Sequence, residues 1–254
     1  MAKPAYLIAG NWKMYKTASQ AAETAAELAR LSSDAREDVE ILIAPPFTAL
    51  PAVAAALEGS RVALGAQNLH WQKEGAYTGE ISAGMLTAAG CSHVIIGHSE
   101  RRQYFGETDE SVNRKIKAAA EAGLKPIFCI GETARQREAG KTVQVLTGQL
   151  QNGLSAIPQT ILRGLVVAYE PVWAIGTGLA ATSEIAQEAH GLIRAEIEKI
   201  YGNTLAKSLK ILYGGSVKPN NVKELMAQPN INGALVGGAS LAAETFNQLV
   251  HFYQ

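Results

Sequence analysis

The chain alternates short apolar runs with longer segments of mixed polarity. Eight runs rich in branched residues follow one another at an average spacing of roughly thirty residues, the length of a strand–helix unit. Each run is continuously apolar instead of alternating, which is typical of parallel strands buried on both faces. We predict strands at residues 6–9, 41–44, 62–65, 93–96, 126–130, 166–169, 210–213 and 233–236.

The segments between these runs have helical periodicity. Thr17 and Gln20 have the spacing of a capping box, which predicts the start of the first helix. Alanine-rich segments near residues 49–57 and 115–122 suit helices that pack on a sheet. The clearest helix follows Ser183, where apolar residues recur at Ile185, Ala189, Leu192, Ile193, Ile197 and Ile200.

Strands that alternate with helices indicate an α/β protein built from repeated βαβ units. Right-handed crossovers in this number can close into a (β/α)8 barrel, and the 254 residues are close to the roughly 250 typical of one. No Pro/Ser/Gly-rich linker divides the chain, so we predict a single-domain barrel over residues 1–254. A doubly wound open sheet stays possible, because periodicity alone does not show closure.

Composition narrows the classes of function. Lys plus Arg and Asp plus Glu each number 23, so no global field favours nucleic acid or an acidic membrane surface. The two cysteines, Cys91 and Cys129, lack metal-site or disulfide spacing and suit buried free thiols. Neither a signal peptide nor a membrane-spanning run is recognisable. We therefore expect a cytoplasmic protein without a metal site.

Polar residues follow the first strand in the segment GNWK at residues 10–13. Taken alone, this segment is most simply a turn with a solvated lysine. At the mouth of a barrel, however, the amide of Asn11 and the ammonium of Lys13 could hold an anion.

A histidine follows the fourth strand in the segment GHSERR at residues 97–102. Such a histidine is more often structural, but an imidazole beside a carbonyl can donate a hydrogen bond and move protons between oxygens. His98 is therefore a candidate catalytic residue. Glu100 and the two arginines fit a supporting ion-pair group better.

The most informative segment, YEPVWAIGTG at residues 169–178, follows the sixth strand. Glu170 could simply end the strand, since a residue before proline prefers an extended backbone. The rest is unusual for a surface loop, because three large apolar residues and two glycines follow the carboxylate. We interpret it as a lid that excludes water around a general base.

Glycine pairs follow the last two strands, in YGGS at residues 213–216 and VGGAS at residues 236–240. Either pair alone would be only a turn. Together they occupy the place where (β/α)8 barrels commonly bind phosphate through backbone N–H groups. All the candidate residues thus follow the carboxyl ends of strands one, four, six, seven and eight, which share one face of a barrel.

These five segments, in this order, resemble the motifs of the triosephosphate isomerase family over essentially the whole chain. The resemblance implies a cofactor-independent aldose–ketose isomerase of glycolysis and gluconeogenesis. Its substrates would be dihydroxyacetone phosphate and D-glyceraldehyde 3-phosphate, linked by an enediolate.

The resemblance also implies a role for each matching residue. Glu170 would be the base, His98 a neutral electrophile, Lys13 the electrostatic stabiliser and Asn11 a polar contact. The substrate phosphate would be held by Asn11, Lys13, Gly176, Ser216, Gly237 and Gly238.

The segment GAYTGE at residues 75–80 is similar to the family's protruding third loop. The resemblance therefore implies a homodimer in which Thr78 lies near the partner's active site. Two departures stand out: Tyr15-Lys16 where the family often has Asn-Gly, and Leu179 where it often has lysine.

Three other functions remain open at this point. A barrel lyase could expel phosphate from the same substrate, although the complete lid segment argues against it. A barrel that only binds phosphate or docks a protein would not need a poised carboxylate. Another phosphosugar isomerase would share the phosphate turns but not the lid that follows Glu170.

Overall fold

Eight parallel strands close into a barrel in the computed structural model of the chain, which describes residues 5–174 and 181–254. Each strand pairs with the next along the sequence, and the last pairs with the first, with Leu7 in register with Gly233. The predicted barrel is confirmed, and the open-sheet alternative is wrong. The strands are β1 (Tyr6–Asn11), β2 (Val39–Ala44), β3 (Val62–Ala66), β4 (His93–Ile96), β5 (Lys125–Ile130), β6 (Val166–Tyr169), β7 (Lys210–Tyr213) and β8 (Gly233–Val236).

The described residues also form eleven α-helices that surround the barrel. The first begins after Thr17 as predicted, and the N–H of Thr17 donates to Gln20 Oε1 at 2.9 Å. The long helix after Ser183 also begins where the periodicity indicates. The helices are α1 (Ala18–Leu31), α2 (Leu50–Ala56), α3 (Ala83–Ala88), α4 (Ser99–Tyr104), α5 (Asp109–Glu121), α6 (Ala134–Glu138), α7 (Thr142–Gly153), α8 (Ser183–Tyr201), α9 (Asn203–Ser208), α10 (Val222–Ala227) and α11 (Ala243–Val250).

Two apolar layers explain why the strands have no hydrophobic alternation. Along β1, Leu7 and Ala9 belong to a cluster in which residues of other strands, such as Leu42 and Leu212, also take part. Ile8, between them, belongs to the larger cluster shared with the helices, which includes Leu28 of α1. Both faces of each strand are thus covered, as in other parallel barrels.

The barrel places the carboxyl ends of the strands on one face. β1 ends at Asn11, and His98, Glu170, Gly214 and Gly237 come one or two residues after β4, β6, β7 and β8. β1 runs two residues beyond its predicted end, because Asn11 still pairs with Ala44 of β2. The barrel therefore brings the five candidate segments to one rim.

Several expectations concern what the chain lacks. Across residues 5–174 and 181–254, no helix is both long and apolar enough to cross a bilayer. The same ranges contain no cluster of three metal-ligating side chains. Cys91 and Cys129 are both buried free thiols.

Candidate active site

A cleft of about 460 Å³ opens at this rim of the barrel. Seven of the eight residues proposed from the sequence line it, and the eighth, Gly176, lies outside the described residues. Segments far apart along the chain therefore share one concave surface. The seven are Asn11, Lys13, His98, Glu170, Ser216, Gly237 and Gly238.

Lys13 has an unusual backbone conformation, with φ at +50°. Two amide side chains hold it there: Asn11 Oδ1 accepts from the N–H of Lys13 at 3.0 Å, and Gln67 Nε2 donates to its carbonyl at 2.8 Å. A left-handed residue other than glycine is costly and persists only when its surroundings impose it. The ammonium, 2.6 Å from Glu100 Oε1, is thus directed into the cleft.

His98 precedes helix α4 and caps it with its own side chain. The N–H of Glu100 donates to His98 Nδ1 at 3.2 Å, so Nδ1 is an acceptor and the ring hydrogen belongs on Nε2. Nε2 faces Glu170 Oε1 at 2.9 Å. Burial disfavours the imidazolium, but the charge and hydrogen bond of Glu170 outweigh burial and raise the pKa of His98.

The carboxylate of Glu170 is almost completely buried, at 2% exposure. Its Oε1 contacts His98, and its Oε2 accepts from the N–H of Ser99 at 2.8 Å. A buried carboxylate is stable only when such donors replace water. Both oxygens of the candidate base therefore contact the segment that carries the candidate electrophile.

Glu170 occupies space that is free only because two neighbouring residues are glycines. A Cβ on Gly131, after β5, would lie 1.7 Å from the carbonyl oxygen of Glu170. A Cβ on Gly214, after β7, would lie 2.9 Å from Glu170 Cγ. Any side chain at either position would therefore displace the carboxylate residue.

The glycine turns after β7 and β8 also line the cleft. Gly238 begins a short 3-10 helix, Gly238–Ser240, directly after β8. A Cβ on Gly237 would lie 3.3 Å from Lys13 Cε, whereas one on Gly238 would meet no described atom within 4 Å. Ser216, after β7, accepts a hydrogen bond at its carbonyl from Asn221 Nδ2. Backbone and ammonium thus converge on a space suited to an anion.

Two charged side chains hold the peptide before His98: Arg102, which belongs to the predicted supporting group, and Glu107, which does not. Gly97 has φ at +75°, and its N–H donates to Glu107 Oε2 at 2.9 Å. Its carbonyl accepts from Arg102 Nε at 2.8 Å. Burial opposes ionisation of Glu107, but Lys115 and Arg101 outweigh it and lower the pKa of that carboxyl. A buried ionic cluster therefore fixes the backbone that leads into His98.

Sequence reasoning missed the loop after β5. Glu132 is completely buried, and its Oε1 accepts from Trp173 Nε1 at 2.9 Å and from the hydroxyl of Tyr169 at 3.1 Å. Burial, together with the charge of Glu132, raises the pKa of Tyr169 well above its usual range. A glycine and a carboxylate directly after an apolar strand were the available signal, because they occupy the same rim position as the other segments.

A buried carboxylate in contact with an imidazole, a neighbouring ammonium and two glycine turns share one cleft. This fold and site define a (β/α)8-barrel enzyme with acid–base groups arranged around a small anionic substrate.

Comparison with known proteins identifies the family. The family model for triosephosphate isomerase matches residues 6–253. The triosephosphate isomerase of Geobacter metallireducens is 58% identical over 97% of this chain and 98% of its own, and that of Geotalea uraniireducens is 56% identical over 99% of both. A crystal structure of the enzyme from Bartonella henselae superposes with a TM-score of 0.89 at 40% identity, covering 98% of this chain and 99% of that one. The chain belongs to the triosephosphate isomerase family and is therefore an isomerase.

Proposed function

We propose that the chain interconverts dihydroxyacetone phosphate and D-glyceraldehyde 3-phosphate through an enediolate, as a step of glycolysis and gluconeogenesis. The observation that carries the proposal is the 2.9 Å contact between Glu170 and His98 Nε2, in a cleft that Lys13 also lines. The reaction moves one proton between adjacent carbons and another between adjacent oxygens. A carboxylate suits the first transfer and an imidazole the second.

Glu170 is the base in this proposal. It removes the carbon proton and returns it to the neighbouring carbon. This role is supported by the position of Glu170 between Gly131 and Gly214, because the two close contacts limit where the carboxylate can move. To reach a substrate carbon, the carboxylate exchanges its hydrogen bonds with His98 and Ser99 for contact with the substrate.

His98 acts as a neutral electrophile, whose Nε2–H donates to the oxygen on which charge develops. The raised pKa of His98 depends on Glu170. Once Glu170 turns to the substrate, burial, the largest influence, favours the neutral ring, as does the N–H of Glu100 on Nδ1. The charge of Lys13 acts in the same direction and opposes that of the Glu100 carboxylate. Lys13 shares the developing charge, and Asn11 adds a polar contact as well as holding the backbone of Lys13.

The phosphate binds at the glycine turns in this proposal. Backbone groups of Gly176, Ser216, Gly237 and Gly238 hold it, together with Lys13 and Asn11. Support comes from the cleft, because the described members of this set line it together with Glu170. Binding there would position the substrate and disfavour loss of phosphate from the enediolate. No step of this mechanism requires a cofactor or a metal ion. We expect the reaction to take place in the cytoplasm.

We also propose that two copies of the chain form a homodimer through the loop around Thr78. Residues 72–80 are all exposed. Met14, beside the catalytic Lys13, is 93% exposed and helps to line a second cleft of about 200 Å³. Large apolar side chains rarely stay exposed together without a partner.

A coupled assay in each direction tests the proposed reaction. With either triose phosphate as substrate, the purified chain should form the other one without added metal or cofactor. In D2O, solvent deuterium should appear on carbon in the product, because the base exchanges its proton. Release of inorganic phosphate without isomerisation would instead support a lyase and contradict the proposal.

A further inference from the structure

The side-chain amide of Gln149, on helix α7, pairs with both polar groups of Gly131. Gln149 Oε1 accepts from the N–H of Gly131 at 2.8 Å, and Gln149 Nε2 donates to its carbonyl at 3.4 Å. Only the amide side chains of Asn and Gln present an acceptor and two donors together at one end. Gln149 therefore holds this one residue of the loop at two points.

Gly131 in turn lies directly against the backbone of Glu170. The three atoms nearest to a Cβ built on Gly131 are the carbonyl oxygen, carbonyl carbon and Cα of Glu170. The flanking residues bond to the same segment, since the N–H of Glu170 donates to Ile130 at 2.7 Å and that of Val172 to Glu132 at 3.1 Å. The position of the loop after β5 thus sets the position of the backbone that carries Glu170.

The packing of helix α7 fixes the position from which the Gln149 side chain extends. Leu146 and Leu150, on either side of Gln149 in the helix, are completely buried. At the end of α7, a Cβ on Gly153 would lie 2.4 Å from the ring of Phe128 in β5, so helix and strand are in close contact. Closely packed elements transmit displacement instead of absorbing it.

We call the two hydrogen bonds between Gln149 and Gly131 the clamp. A cavity of about 280 Å³ lies beside it and is lined in part by Gln149, Gly131, Glu170 and Val172. On this side, Gly131 adjoins open space instead of packed side chains. Without the amide of Gln149, the Gly131 peptide would lose its hydrogen-bond partner and have room to rotate. Glu170 would move with it.

We propose that Gln149 is a positioning residue for the general base: through Gly131 it fixes the backbone of Glu170, so that the carboxylate meets the substrate carbon at a productive distance and angle. The inference rests on the proposed role of Glu170. Gln149 itself touches neither the substrate nor any reacting atom. Loss of the clamp slows proton transfer more than it weakens phosphate binding, because the glycine pair after β8, unlike Gly214 after β7, does not adjoin Glu170.

The test replaces Gln149 with methionine, which has similar length but no amide, and with asparagine, which is too short to reach Gly131. Glutamate at the same position keeps the acceptor for the N–H of Gly131. Gln144→Met is the matched control, since Gln144 lies on the same helix but is exposed. We expect Gln149→Met and Gln149→Asn to lose about 10-fold or more in kcat, as geometric misplacement of a catalytic group predicts. Gln149→Glu should lose less, and Gln144→Met nothing.

The inhibition constant of inorganic phosphate should change much less than kcat in every variant, because the glycine pair after β8 does not adjoin Glu170. Circular dichroism, measured well below the unfolding temperature, establishes that each assayed variant is folded. If a folded Gln149→Met or Gln149→Asn variant keeps the wild-type kcat, the inference is wrong. Equal loss of turnover and of phosphate affinity would also overturn it, since that is the result of general loosening. A wild-type chain without isomerase activity would instead reject the proposed function itself.

Discussion

At the scale of single residues, Lys16 shows how side-chain contacts support a costly backbone conformation. Lys16 has φ at +74°, a conformation that favours glycine. Its ammonium donates to Thr24 Oγ1 at 2.8 Å and lies 5.5 Å from the centre of the Trp12 ring. Side-chain contacts therefore offset part of the backbone cost.

Two substitutions separate these contributions to the free energy of unfolding. Lys16→Ala removes the contacts but keeps the backbone cost, whereas Lys16→Gly removes both. We expect the glycine variant to be more stable than the alanine variant by about 1 kcal/mol, measured by urea unfolding. Equal stabilities would mean that the left-handed conformation at residue 16 carries no cost.

Gly237 and Gly238 provide a second comparison at this scale. A methyl group at residue 237 meets Lys13 Cε at 3.3 Å, whereas one at residue 238 meets no described atom within 4 Å. Gly237→Ala should therefore displace the ammonium and lower kcat/KM by about 10-fold, the order expected of a misplaced catalytic group. Gly238→Ala should leave the position of Lys13 unchanged, and any effect should be confined to KM and to inhibition by phosphate. The idea fails if Gly238→Ala impairs kcat more than Gly237→Ala does.

At the scale of elements, the apolar runs predicted all eight strands because a parallel strand buried on both faces leaves an unbroken pattern. The pairing of β1 with β2 extends beyond the apolar run of β1 to Asn11, because main-chain pairing does not depend on side-chain polarity. The site was predictable where a chemically distinctive residue followed a strand, as with His98 and Glu170.

The supporting groups were not predictable in this way. Gln67, Glu107 and Gln149 act through hydrogen bonds to backbone atoms 54, 10 and 18 residues away. Polar residues of these types occur throughout loops and helices, and only the fold shows which of them face a buried peptide. Their roles therefore depend on tertiary contacts that no local pattern records.

His93, the first residue of β4, gives a pH prediction for this element. Burial, with a smaller effect of the Lys125 and Lys210 charges and an opposing one of Glu40, lowers its pKa from 6.5 to about 4. The unfolded chain therefore binds a proton at a higher pH than the folded chain does. The contribution of His93 to stability is complete above pH 6.5 and is lost as the pH falls from there to about 4, in total about 3 kcal/mol.

Urea unfolding at a series of pH values measures this loss. Between pH 6.5 and pH 4, wild type should lose about 3 kcal/mol more than His93→Gln, whose side chain does not titrate. Parallel stability curves for the two proteins would show that His93 does not couple folding to pH.

At the scale of the whole molecule, we propose that residues 1–254 form one domain. Closure joins β1 to β8, so the first and last strands of the barrel stabilise each other. Neither half of the barrel could lose its strands without exposing the apolar interior of the other. Thermal unfolding should accordingly be a single cooperative transition by both far- and near-ultraviolet circular dichroism, and two separate transitions would contradict the proposal.

The homodimer is tested by its state of association in solution. Sedimentation should give twice the 26.9 kDa mass of the chain. Thr78→Arg places a long charged side chain in the exposed loop and should shift the equilibrium toward monomers with lower kcat/KM. Thr204→Arg, on the exposed surface of α9, is the matched control and should remain dimeric. A monomeric wild-type chain with full activity would contradict the proposed assembly.

The role of Glu170 as the base is tested most directly by the turnover of Glu170→Gln in the coupled assay. Glutamine has nearly the same shape but does not accept the carbon proton, so kcat should fall by at least about 10²–10⁴-fold while the chain remains folded. Glu188→Gln, which changes an exposed carboxylate on α8, should turn over at the wild-type rate. Near-normal turnover by folded Glu170→Gln would show that the proton is carried by another group.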